Sequence, residues 1–207
     1  MADNLRKLLI QRAARLQERP ALTSGAWGTL SYGQFRNRVE GVALGLMADD
    51  APTGAAIFCD TEGPWDWACE VAAACCGLRW DRAGARVAPD ILGGPGFNDE
   101  HGRGPYHERE HEVQEDTLFA GNLDHAAMLL RLQRLNRTLG WDHDTRVDLP
   151  LAGLGEAPLR AALWSALYAG AHAAIGEADP EQTGLLARFR RPKAPWDPAP
   201  FAGFWAI

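Results

Sequence analysis

The sequence predicts an α/β fold, a mostly parallel sheet flanked by helices, on three observations. Apolar residues recur at steps of three and four in several separate stretches. Short apolar runs bounded by turn residues lie between them. The two kinds of segment alternate along most of the 207 residues, and that alternation gives parallel strands joined by helical crossovers.

Residues 4–18 place Leu5, Leu8, Leu9, Ala13 and Leu16 on one helical face. Segments 21–23 and 29–31 predict a short strand pair that turns through Ser24-Gly25 and Gly28. Ser31 and Gln34 have the spacing of a capping box, and the helix they open carries Tyr32, Phe35, Val39, Val42 and Leu46 inward. Arg36, Arg38 and Glu40 are expected to face away. The run 54–59 reads as a buried parallel strand. Pro64 suits the first turn of a helix running through Trp65, Ala68, Val71 and Ala72 to Gly77. Further on, the pattern predicts a helix over 122–139 on Met128, Leu132, Leu135 and Leu139, a strand at 147–149 and a helix over 158–169. A strand at 171–175 and a last helix over 181–190 complete the series.

Residues 1–190 are therefore expected to form one α/β domain. Residues 84–116, rich in Gly, Pro, Asp, Glu and His, are expected to form a long irregular loop within it. Residues 191–207 form a tail with four prolines and with Trp196, Phe201, Phe204 and Trp205. Four aromatic rings are costly to leave in water, so the tail is expected to pack on its own domain.

Composition narrows the classes of function. Hydrophobic residues make up 46% and charged residues 23%, which is ordinary for a globular chain. A net charge of -6 speaks against a general nucleic-acid or anionic-membrane binder, which needs a basic surface. Cys59, Cys69, Cys75 and Cys76 fall in segments that read as buried and lack the pair-of-pairs spacing of a zinc site. They read as small apolar core residues of a reducing compartment. No run approaches the ~20 apolar residues that span a membrane, and the N-terminus lacks a signal-peptide pattern. The expectation is a cytoplasmic protein with no membrane span and no nucleic-acid partner.

The order of elements resembles a known superfamily. The first helix is followed by Arg-Pro-Ala-Leu (19–22) and Leu-Ser-Tyr-Gly-Gln-Phe (30–35), then by the strand at 54–59 and a Trp-bearing helix ending in small residues and Gly77. Later, Leu123-Asp124-His125 resembles a "Leu-Thr-His" element, Asp148-Leu149-Pro150-Leu151 a "Leu-Pro-Leu-Phe-His" strand, and residues 166–171 an "Ala-Leu-x-x-Gly-Ala" element. Over 4–80 and 113–176 the chain thus resembles the opening of the adenylate-forming superfamily, which holds acyl-CoA synthetases, luciferases and peptide-synthetase adenylation domains. The resemblance implies the fold of that superfamily's N-terminal subdomain.

It also implies a loss. Superfamily members carry a Ser/Thr/Gly-rich loop ending in Pro-Lys-Gly before the "Leu-Thr-His" element, and its N–H groups, hydroxyls and lysine hold the ATP phosphates. Here Thr117-Leu118-Phe119-Ala120 runs directly into Gly121-Asn122-Leu123, and no lysine stands between Lys7 and Lys193. Asp124 replaces the threonine and would repel phosphate. The histidine after "Leu-Pro-Leu-Phe" is absent, Ala152 and Gly153 following Leu151. The superfamily's adenine- and ribose-contacting motifs and its C-terminal domain have no counterpart in the 207 residues. The expectation is a non-catalytic accessory or scaffold protein with no catalytic residue and no cofactor. It would act by self-association, as a homodimer, or with another protein chain such as a ligase or carrier-protein pathway member. The alternative is one piece of a split ligase completed by another chain.

A second alternative rests on His107-Glu108-Arg109-Glu110-His111, which fits the H-E-x-x-H pattern of zinc hydrolases. His107 and His111 are the candidate metal ligands. Both middle residues are charged and the flanks hold Gly102, Gly104 and Pro105, so a solvated charged loop explains the segment as well. Gly93-Gly94-Pro95-Gly96 lacks a following Lys-Ser/Thr and reads as a turn. Arg131, Arg134 and Arg137 read as a solvated helix face. No G-x-S-x-G surrounds any serine, so Ser165 and His172 form no nucleophile motif.

Overall fold

The computed structural model of the chain describes residues 2–47, 51–59, 61–87, 106, 108–176, 193–194 and 196–206. The helices are α1 (Leu5–Leu16), α2 (Tyr32–Met47), α3 (Pro64–Cys75), α4 (His125–Leu139) and α5 (Ala157–Ala169). The strands are β1 (Pro20–Ser24), β2 (Gly28–Ser31), β3 (Ala56–Cys59), β4 (Arg79–Trp80), β5 (Ala85–Val87), β6 (Leu118–Ala120), β7 (Leu123–Asp124), β8 (Arg146–Leu149), β9 (His172–Ile175) and β10 (Lys193–Ala194).

The first half starts from its caps. Asn4 opens α1 by accepting the Lys7 N–H at 2.8 Å, which satisfies one of the free donors of the first turn. Ser31 and Gln34 form the expected capping box: the Ser31 N–H donates to Gln34 Oε1 at 2.9 Å, and the Gln34 N–H to Ser31 Oγ at 3.3 Å. Tyr32 then sends its hydroxyl across to the Ala171 carbonyl at 2.7 Å, tying α2 to the residue that precedes β9. Glu40 corrects the sequence reading. It does not face away but is buried, 1% exposed, and accepts from Arg36 Nε one helical turn earlier at 2.7 Å. Arg38 is half-buried over the rings of Trp27 and Trp65, 4.8 and 5.1 Å from their centroids.

The strands form two parallel sheets and one hairpin. The larger sheet runs β10-β8-β9-β1-β2, parallel throughout except for the β1–β2 hairpin. A second, β4-β3-β5, is wholly parallel. All four residues of β9 are buried, as expected of a parallel strand covered on both faces. The core is continuous between the sheets. Trp164 of α5 is fully buried with its ring edge-on to Trp67 of α3 at 4.9 Å and to Phe119 of β6 at 5.2 Å.

Two expected irregular regions contribute order. Within 84–116, β5 joins the smaller sheet, Tyr106 and Val113 are buried, and Arg109–His111 form a 3-10 turn. Arg6 of α1, 1% exposed, lies over the Tyr106 ring at 3.7 Å and donates to the Cys75 carbonyl at 3.4 Å. The tail packs on its own domain. Phe201 and Phe204 are buried, Trp196 stacks on Phe201, and Trp205 Nε1 donates to the Ala157 carbonyl at 2.7 Å. Arg131 of the expected solvated stripe is partly drawn into this contact, donating to the Phe204 carbonyl at 2.6 Å. The expected helix over 181–190 and the Gly93–Gly96 turn lie outside the described residues.

Candidate functional site

Two places in the fold carry candidate chemistry, one raised by the sequence and one not. The first is the β6–β7 hairpin and the start of α4. Leu118 pairs with Asp124 and Ala120 with Leu123, so the strands are joined by Gly121-Asn122 alone. Gly121 takes φ 56°, a left-handed value that glycine adopts freely. The first N–H groups of a helix are free to bind an anion unless something else occupies them. In α4 all three are occupied: His125 N–H donates to the Thr117 carbonyl at 3.1 Å, Ala126 N–H to the Glu115 carbonyl at 2.8 Å, and Ala127 N–H to Asp124 Oδ1 at 2.7 Å.

His125, the first residue of α4, is fully buried against Phe119. Its Nδ1 accepts the Leu5 N–H at 3.1 Å, which assigns the proton of the neutral ring to Nε2. Burial holds this imidazole down at about 4, because the charged form would lose its water. His125 is a strut between α1 and α4.

The second place is an open cleft of about 770 Å³ at the carboxyl ends of β1, β3 and β8, where Ser24, Phe58 and Leu151 line it. Ligands of open α/β sheets bind at such strand ends. Trp65 and Asp66 of α3 form one wall, and Arg82, Gly153 and Gly155 the other. A Cβ built on Gly155 would stand 3.2 Å from Arg82 Nη2 and 3.3 Å from Asp66 Oδ2, so the glycine keeps a passage between two opposite charges.

Behind the cleft, Glu70 is fully buried and neutralised. Arg160 of α5 donates to both of its oxygens at 2.7 Å, and Trp164 Nε1 adds a third bond at 2.9 Å. Asp66, one turn earlier, has no hydrogen bond or ion pair among the described residues. Burial, with the Glu70 charge behind it, pushes the Asp66 carboxyl up to about 6, against the opposing pull of Arg160 and Arg82.

The remaining candidates are not brought into a site. His107 lies outside the described residues. His111 is exposed on the 3-10 turn, and its carbonyl accepts from Gln114 Nε2. Among the described residues no group of three or more His, Cys, Asp or Glu could hold a metal ion. Ser165 Oγ bonds back to the Ala161 carbonyl at 2.8 Å, and His172 Nε2 meets Thr23 Oγ1 at 2.8 Å, far from one another in role. All four cysteines are free and buried. No described helix is long and apolar enough to cross a membrane.

Sequence comparison adds nothing to this: no family model matches the chain, and no curated protein does. Solved structures do. An artificially fused adenylation and carrier di-domain, NpsA-ThdA of a nonribosomal peptide synthetase from Klebsiella oxytoca, superposes with a TM-score of 0.64 at 14% identity, over 89% of this chain and 41% of that one. The chain has the fold of the adenylate-forming enzymes. VinN in complex with L-aspartate gives 0.62 at 11% identity, over 90% and 64%. A putative long-chain-fatty-acid CoA ligase from Rhodopseudomonas palustris CGA009 gives 0.56 at 18%, over 86% and 59%. The described adenylation fold therefore spans less than two thirds of each of these three solved chains.

The sequence missed the cleft. Asp66, Arg82 and Gly155 are far apart in the chain and belong to no motif. A signal was present: Asp66 and Glu70 interrupt the apolar helix α3, and Arg160 interrupts the apolar helix α5. Charges in otherwise buried helices demand partners.

Proposed function

We propose that this adenylation-fold chain is non-catalytic, an accessory or scaffold protein that works by association with a copy of itself or with a ligase or carrier-protein pathway member. The observation that carries the reading is the start of α4. Its three free-donor positions are all bonded within the chain, and Asp124 supplies one of the acceptors. The two-residue Gly121-Asn122 turn occupies the position where the resemblance implies a phosphate loop. A carboxylate cap and a minimal turn leave no cradle of N–H groups for a triphosphate. The test is ATP–pyrophosphate exchange with a panel of carboxylic acids, alongside titration calorimetry with MgATP. The reading expects neither exchange nor heat of binding; exchange by the chain alone would overturn it.

A second reading has support in the coverage of the solved relatives, which extend well beyond the matched part. In it the chain is one piece of a split ligase, and another polypeptide supplies the rest. That reading predicts exchange activity only when a ligase-like partner is added.

A further inference from the structure

We propose that the cleft between α3 and the 150–156 loop binds a small aromatic cation, a protonated amine or amidinium on a flat ring, with Asp66 taking the charge. The cleft's volume of about 770 Å³ falls in the range of small-molecule sites. Trp65 provides apolar ring surface for the body of such a ligand, beside Phe58, whose ring centroid lies 5.8 Å from the Arg82 guanidinium. Trp65 is held from its other neighbours, with the Trp27 ring edge-on at 4.8 Å and Arg38 over both rings. The wall is thus fixed before a ligand arrives, which reduces the ordering cost of binding.

The sign of the ligand follows from the charges that face Asp66. On its own helix, Glu70 is balanced by Arg160 of α5, which is committed to it by two bonds of 2.7 Å. Arg82, from the turn after β4, directs Nη2 to the Gly155 carbonyl at 3.3 Å rather than into an ion pair with Asp66. Glu62 lines the same cleft and adds a further acid. The buried Cys69 thiol beside Asp66 is uncharged, its hydrogen bond with the neighbouring Cys59 thiol and then burial holding it protonated. Asp66 is left as a half-buried carboxylate without a donor among the described residues, whereas buried polar groups are ordinarily hydrogen-bonded. An ammonium or amidinium supplies donors and charge together.

The proposal is independent of the non-catalytic reading, since it involves neither ATP nor the start of α4. The test uses the full chain with benzamidine as probe, and benzamide and benzoate as its neutral and anionic counterparts. Binding is followed by titration calorimetry and by the indole N–H signal of Trp65, assigned by its loss in Trp65→Phe. Benzamidine is expected to bind at least ~10-fold more tightly than benzamide, a charge-assisted hydrogen bond being the difference, and benzoate more weakly than both. Asp66→Asn should remove the preference for benzamidine over benzamide. Arg82→Ala, by removing an opposing charge, should tighten benzamidine by roughly 2- to 5-fold. The preference should fade below pH 6 as Asp66 takes a proton. Equal affinity for benzamidine and benzamide, unchanged affinity in a folded Asp66→Asn variant, or no saturable benzamidine binding overturns the proposal.

Discussion

Arg160 on α5 grips Glu70 on α3 through two bonds of 2.7 Å, and Trp164 of α5 adds a third bond to the same carboxylate at 2.9 Å. The carboxylate is 1% exposed and the guanidinium 18%, so each depends on the other for its solvation. Breaking such a pair from one side leaves a buried charge without a partner.

Glu70→Ala is therefore expected to destabilise the fold by about 3–5 kcal/mol in urea unfolding. The double variant Glu70→Leu with Arg160→Met should recover most of that loss, because a well-packed apolar pair is often as stable as a buried ion pair. A double variant no better than Glu70→Ala would mean that the shape of the pair, rather than its charge balance, holds the two helices.

His125 gives the fold an acid sensitivity with a definite sign. Its folded value of about 4 lies below its ordinary 6.5, so the unfolded chain takes the proton first. Stability contributed by the neutral ring is complete above pH 6.5 and is lost as pH falls toward 4, by roughly 3 kcal/mol in all. Denaturant unfolding between pH 7 and 4 should show this loss, and His125→Gln should flatten it while lowering stability at pH 7.

Asp66 acts in the opposite sense. Its folded value of about 6 lies above the ordinary 3.8, so its contribution is most favourable below pH 3.8 and is lost as pH rises to 6. Asp66→Asn should raise stability at pH 8 by about 1 kcal/mol after allowance for partial exposure, or roughly 2–4 °C in melting temperature. At pH 4 the two proteins should melt together.

Association is measured by light scattering at micromolar concentration. Leu118, Leu130 and Leu151 are exposed at 38%, 46% and 57%, which leaves apolar surface for a partner. The proposed role predicts a dimer, or a hetero-complex recovered with a pathway protein; a clean monomer that recovers no such protein would count against it.

The sequence was most legible where a pattern repeats or a pair is local. The α2 start rests on Ser31 and Gln34, three residues apart, and both are found bonded as the capping box requires. The helical faces of α1, α2 and α4 follow the same logic, since periodic apolar residues must face a core. Glu40 was misread because its Arg36 partner lies on its own helix, and an i,i+4 pair has the same spacing whether it points to water or inward. Strands of two or three residues, such as β6 and β7, carry no period at all, so 122–124 was read as the start of the helix that in fact begins at His125, and the residues before it only as a place where a loop is missing. The cleft was illegible for a third reason. Its lining comes from α3, the turn after β4 and the loop after β8, and only the fold places them together.

The measurement that tests the central claim most directly is the melting temperature with and without millimolar MgATP. A ligand at 100 times its dissociation constant adds about 2.7 kcal/mol, a shift of several degrees for a domain of this size. With the first N–H groups of α4 bonded to Thr117, Glu115 and Asp124, the account predicts no shift. A clear, magnesium-dependent rise would place a working nucleotide site in this chain and contradict the non-catalytic reading.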